Sequence, residues 1–283
     1  MTSKQILKSV LPPVIWNLLK SVQTRIMPSS DCLTYAPQGW ATKLPNEPTA
    51  DNVWAKYMAR ELQKHEGLIR RAQNAEPLLI DPKDYVNRPT AFASYMIYMT
   101  YAYVLTLAAH EKRALKVLDY GGGLGDYYWF GKAMLPGIEL EYHCMELPAV
   151  VEEVRKASPR VIWHTDDACL GQQYDMVMLN SSLQYIQDWQ GLLRRAAAAV
   201  RIHLFLSRAP TVERVPGYVA VQRVGDASVL CQQHNRADVL GTVQDAGLRL
   251  VREFLMGEHP WIGNAPEQPS VRGWLFQRDA GRA

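Results

Sequence analysis

Apolar side chains along residues 51–72, DNVWAKYMARELQKHEGLIRRA, fall at Val53, Trp54, Tyr57, Met58, Leu62 and Ile69, mostly three or four residues apart. That spacing predicts an amphipathic helix with Asp51 as its N-cap. His65 shares the apolar face with no second ligand one turn away, so it reads as a packed histidine. Upstream, residues 27–50 contain four prolines and no apolar period and read as an irregular connector or lid. PLLIDPKDYVNRP is a further turn-rich joint. Residues 89–110, PTAFASYMIYMTYAYVLTLAAH, lack Asp, Glu, Lys and Arg but hold four tyrosines and three threonines. A bilayer span is long enough to fit here, yet phenols favour interfaces over hydrocarbon, and a helix buried on several sides shows the same lack of charge. A buried helix is expected, with no transmembrane span.

Beyond HEKRA, short apolar runs alternate with helical periods. LKVLDY, LEYHCME, VIWHT, YDMVMLN and RIHLFLSR read as five strands, and GDYYWFGKAM, LPAVVEEVRKA, DWQGLLRRAAAAV and RADVLGTVQDAG as helices. This is the signature of a doubly wound α/β sheet. LRLVREFLM and VRGWLFQR close the chain as two strands whose linker has no room for a crossover helix, so that pair is expected to be antiparallel. The division that follows is an N-terminal helical or lid region, 1–88, and a Rossmann-like domain, 89–283.

Composition narrows the partners. A net charge of +3 over 283 residues, 21% charged and 48% hydrophobic, with scattered basic residues, describes an ordinary soluble chain and gives no sign of a nucleic-acid partner. Cys32, Cys144, Cys169 and Cys231 form no Cys-x-x-Cys pair, which fits a reducing cytoplasm and suggests neither disulfide framework nor metal site. The first 28 residues hold Lys4, Lys8, Lys20 and Arg25 beside apolar residues; they read as a helix packed on its own domain, with peripheral contact to an anionic membrane as the alternative.

The candidate chemistry begins at VLDYGGGLGDYYW. Asp119, Gly121, Gly122, Gly123 and Gly125 lie where a strand turns into a helix, the context in which glycines let backbone approach a nucleotide. No Gly-Lys-Ser/Thr closes a phosphate loop. A dinucleotide turn needs Gly or Ala where this chain has Asp126, and a carboxylate there opposes a pyrophosphate at a helix N-terminus. S-adenosyl-L-methionine (SAM), a sulfonium without phosphate, tolerates that acid. Asp119 then suits its ammonium group, directly or through water, although Asp126 serves equally as a helix cap. Glu146, followed by Leu147 at the end of the second strand, suits the ribose hydroxyls. Asp166 or Asp167 suits the adenine amino group or a helix cap. Asn180 and Ser181 end the fourth strand, where ligands gather in open α/β sheets.

VLDYGGGLGDYY, CMELPAVVE and YDMVMLNSSLQYI together resemble class I SAM-dependent methyltransferases. More narrowly, they are similar to a bacterial methyltransferase family encoded among surface-polysaccharide and other biosynthetic genes; PPVIWNLLK and YAPQGW resemble reduced forms of its aromatic-rich N-terminal region. The resemblance implies a seven-stranded, mostly parallel sheet with an antiparallel last strand. It also implies methyl transfer by direct displacement to a small-molecule or glycan-like acceptor. An oxygen acceptor gains from a general base, and His234 lies where an acceptor-side loop is expected. Tyr95, Tyr185 and His259 are candidate acceptor contacts, and Trp40, Trp54 and Tyr98 either line that pocket or pack the core. No metal is required, and a homo-oligomer is compatible. The rival readings are a SAM-binding partner subunit without turnover and an NAD(P)-dependent oxidoreductase.

Overall fold

A computed structural model describes residues 33–44, 50–74 and 89–279, without the side chains of residues 50, 51, 63, 64 and 89–95. The N-terminal amphipathic segment, PPVIWNLLK, Cys32, the joint at 77–88 and the Tyr95 side chain lie outside the described residues.

The strands are β1 (Leu33–Tyr35), β2 (Ala114–Tyr120), β3 (Glu139–Met145), β4 (Ile162–His164), β5 (Tyr174–Asn180), β6 (Val200–Val212), β7 (Tyr218–Val224), β8 (Ala227–Asn235), β9 (Leu248–Leu255), β10 (Ile262–Gly263) and β11 (Ser270–Arg278). The helices are α1 (Ala50–Gln73), α2 (Pro89–Ala108), α3 (Asp126–Met134), α4 (Pro148–Val154), α5 (Trp189–Ala198) and α6 (Arg236–Asp245).

Strands β4, β3, β2, β5 and β6 run parallel side by side; β11 joins β6 antiparallel and β9 joins β11 antiparallel. Central strands buried on both faces must be apolar on both, and in β5 every residue from Tyr174 to Leu179 is buried. On one face, Tyr101, Val104, Leu105 and Phe130 from α2 and α3 cover Val117, Met176, Met178 and Phe205. On the other, Leu192, Leu193, Val239 and Val243 from α5 and α6 cover Leu118, Val177, Leu204 and Trp274. Helix α2 turns Val104 and Leu105 inward and leaves Met99, Tyr103 and Leu107 exposed. No helix of the described residues is long and apolar enough to cross a membrane.

The expectation of seven strands is corrected: the described residues form eleven. Four of them, β10, β1, β7 and β8, extend the sheet beyond the parallel core, attached where Thr211 and Val212 of β6 pair with His234 and Asn235 of β8. The stretch after the fifth strand, expected as a loop, is a hairpin. Val224 pairs with Ala227 across the two residues Gly225 and Asp226, and Gly225 takes φ +62°, the conformation that a two-residue hairpin turn needs. Within the stretch read as an irregular connector, β1 pairs with β7 through only three residues, too few to show a period.

Candidate functional site

The glycine turn is shaped by what lies behind it. Gly121, Gly123 and Gly125 all have φ between +59° and +74°, a region that side chains disfavour. A Cβ on Gly121 would run into Ser182 after β5, and one on Gly122 into Asp119 and, at 2.5 Å, the Cys144 sulfur. Ser182 also fastens the turn, its hydroxyl donating to the Tyr120 carbonyl at 2.7 Å. The chain gives up side chains here partly because β3 and the segment after β5 crowd it from beneath.

Asp119 is fully buried under this turn. Tyr142 donates its hydroxyl to Asp119 Oδ2 at 2.7 Å, while Oδ1 has no hydrogen-bond partner. Burial pushes its carboxyl up to about 7, against the Tyr142 bond and with help from Glu146 and Asp126. Glu146, at the end of β3, faces the turn. Gly123 N–H donates to its Oε2 at 3.0 Å and Leu147 N–H to its Oε1 at 2.9 Å. Burial raises the Glu146 carboxyl and those two backbone donors partly offset the rise. Each oxygen keeps a free lone pair.

Asn180 donates its amide to the Tyr127 hydroxyl, and its Oδ1 is unpartnered. Ser181 stands at φ +57°, its N–H bonded to the Ser207 carbonyl. The pairing of Asp119 with Met178 and of Asn180 with Ser207 puts Asp119, Asn180 and Ser207 on one sheet face. All three carry a buried polar atom without a partner. Such atoms are uncommon in folded proteins and call for an explanation.

The remaining sequence candidates divide. Asp166 caps a short 3-10 turn by accepting Ala168 N–H, and Asp167 accepts from Tyr120 and Arg195; both acids have structural partners. Tyr185 donates to Gln222 at 2.9 Å and packs edge-on against Trp54 of α1 at 4.7 Å. Trp40 donates to Gln232, and the Tyr98 ring packs at a tilt against Phe130. His259 lies exposed in a cleft of about 530 Å³ with Trp261 and Glu213.

His234 requires a correction. It sits within β8, not in an acceptor-side loop, with no exposure and no partner on either ring nitrogen. It packs edge-on against Trp189, and burial pushes its pKa down to about 3.

Asp126 is the first residue of α3, after Gly125 at the N-cap; it pairs with His65 of α1. The sequence carried no signal for this pair, nor for Met58 lying against Gly123.

No protein-family model matches the chain, and no curated protein sequence matches it. Among solved structures it is similar to the SAM-bound magnesium protoporphyrin IX methyltransferase from Synechocystis PCC 6803, at 15% identity over 83% of this chain and 100% of that one, with a TM-score of 0.51. Another neighbour is the 1,6-didemethyltoxoflavin-N1-methyltransferase of Burkholderia thailandensis, with bound 1,6-didemethyltoxoflavin and S-adenosylhomocysteine (SAH), at 13% identity, 87% and 99% coverage and a TM-score of 0.45. A third, a SAM-bound amino pentose methyltransferase from Micromonospora echinaspora, has 14% identity, 72% and 99% coverage and a TM-score of 0.44. The first of these likenesses shows the fold: the chain has the α/β Rossmann-like architecture found in class I SAM-dependent methyltransferases.

Proposed function

We propose that the chain is a class I SAM-dependent methyltransferase acting on a small-molecule or glycan-like acceptor, at oxygen. The observation that carries this reading is the Glu146 carboxylate, turned onto Gly123 N–H beside the glycine turn with lone pairs to spare. SAM, when bound, supplies a methyl group on a positively charged sulfur. The residues present fit that group. Glu146 would accept the ribose hydroxyls, and the glycine backbone would pack along the nucleoside. Asp119 Oδ1 and Asn180 Oδ1, both unpartnered acceptors, suit an ammonium donor better than they suit phosphate. Asp126 at the head of α3 likewise disfavours a pyrophosphate.

On the acceptor side, Tyr185 and His259 remain the proposed contacts. The base role assigned to His234 is not retained, because a sealed imidazole held neutral by burial cannot reach a substrate proton. That burial favours, as a second reading, a SAM-binding subunit without turnover of its own. Methyl transfer can also proceed by positioning alone when the acceptor atom is already nucleophilic.

Titration calorimetry with SAM, SAH and NAD decides the cofactor. SAM and SAH are expected to bind, and Glu146→Gln to weaken both at least about tenfold through loss of a charge-assisted hydrogen bond. Preferential NAD binding, or an unaltered affinity in the variant, overturns the reading.

A further inference from the structure

Helix α1 lies over the glycine turn. The Met58 methyl carbon comes within 3.0 Å of where a Gly123 Cβ would stand, and Trp54, Met58 and Leu62 pack with Leu124, Leu147, Val150 and Val154. Gly123 is thus held from two sides, its N–H by Glu146 and its carbon by α1.

A buried polar bridge fastens that helix. His65 is 1% exposed. Its Nδ1 meets Asp126 Oδ1, its Nε2 lies 2.7 Å from Ser158 Oγ, and Ser158 Oγ donates to the Leu124 carbonyl at 3.2 Å. An ionised carboxylate only accepts, so Nδ1 carries a hydrogen. Nε2 and the Ser158 hydroxyl share the second bond, which runs in either direction according to the tautomer. The ring thus joins α1 to the head of α3 and to the turn after α4 through both of its nitrogens, and Ser158 carries the chain of bonds on to Leu124.

The groups that face this ring are Asp126 from α3 and Ser158 from the turn after α4, with Tyr98 of α2 acting on Asp126 through space. Glu152, Glu153, Arg155 and Lys156, on α4 and just beyond it, are exposed to solvent. Nearer its N-terminus, α1 is tied by Lys56 to Asp226 at 2.6 Å, with side chains 57% and 69% exposed, a kind of pair that contributes little.

We propose that His65 is a positioning residue that latches α1 over the nucleoside crevice: its ring ties the helix to Asp126 at the glycine turn and to Ser158, and α1 lifts for the ligand to pass. This inference rests on the crevice reading given under Proposed function.

The test uses the full chain with SAH as probe and follows its release by stopped-flow tryptophan fluorescence. His65→Gln is expected to release SAH about tenfold faster than wild type, and Ser158→Ala to do so by a smaller factor. Equal rates, in variants whose circular dichroism is unchanged, overturn the latch. If His65→Gln fails to fold, Ser158→Ala and Asp126→Asn are judged by the same criteria. If wild type binds neither SAM nor SAH, the crevice reading fails, and hydrogen exchange on the ligand-free chain decides the latch. Faster exchange along residues 50–65 in the variants supports it, and unchanged protection overturns it.

Discussion

The seam beneath α1 and the seam beneath β8 each bury a histidine, and they treat it in opposite ways. His65 has both ring nitrogens bonded, to Asp126 and Ser158. His234 has neither, and its ring packs edge-on with Trp189. The first seam is stitched by polar groups that must stay matched and is suited to open and close. The second is apolar packing around a ring that remains neutral. Burial therefore says little about what a histidine does; the partners on its nitrogens decide it.

Breaking the first seam from below should have the largest effect. Gly122→Ala places a methyl group on Asp119, which Tyr142 holds in place. A loss of about 3 kcal/mol in urea unfolding is expected, with SAH binding weakened more than tenfold. An unaltered midpoint and affinity would show that the turn can shift aside.

The second seam is sharpened by acid. The ordinary His234 value of 6.5 falls to about 3 in the folded chain. Between those limits the unfolded chain binds a proton that the folded chain does not, so stability is full above 6.5 and declines as pH falls through that window. The decline has a limiting slope of about 1.4 kcal/mol per pH unit. Asp119 acts with the opposite sign over much of this range, because its raised carboxyl keeps a proton when folded and costs stability as pH rises from 3.8 towards 7. The difference between wild type and His234→Leu isolates the histidine. The variant should match or exceed wild type at pH 7, within about 1 kcal/mol, and be clearly the more stable at pH 5. Parallel curves would mean that His234 is protonated in place.

The smallest effect is expected where α1 meets the hairpin turn. Lys56→Ala removes an exposed pair and should leave the thermal midpoint within about 1 °C of wild type. A larger fall would move the main fastening of α1 from His65 to this end.

Much of this was legible in the chain itself. Apart from β7, β8 and β10, the alternation from Leu115 to Arg278 follows the observed strands and helices to within a few residues, because strands buried on both faces leave continuous apolar runs that glycine and charged segments punctuate. The glycine turn and the placement of Glu146 follow from the same logic. The hairpin of β7 and β8 was missed although Gly225-Asp226 is a recognised two-residue turn, because Gln232, Gln233 and His234 made the second strand look polar. That one error carried His234 into a loop. The pairing of His65 with Asp126 joins residues far apart in the chain, and no local pattern encodes which histidine a distant carboxylate will meet. Asp126 itself was read by its charge at a helix start, where its observed partner is the more informative fact.

The short strand β1 pairs antiparallel with β7 and parallel with β10, so Leu33 stands beside both Gln222 and Ile262. Residues from near the two ends of the chain thus close the same edge. Contacts of such long sequence separation form late, since the entropy of closing the intervening loop must be met first. During synthesis β7 can zip onto β8 long before Ile262 has been made, and β1 then has only one of its two neighbours. Removing residues 33–35 should accordingly strip β7 of its outer neighbour and leave a row of unpaired backbone groups, the kind of margin along which chains aggregate.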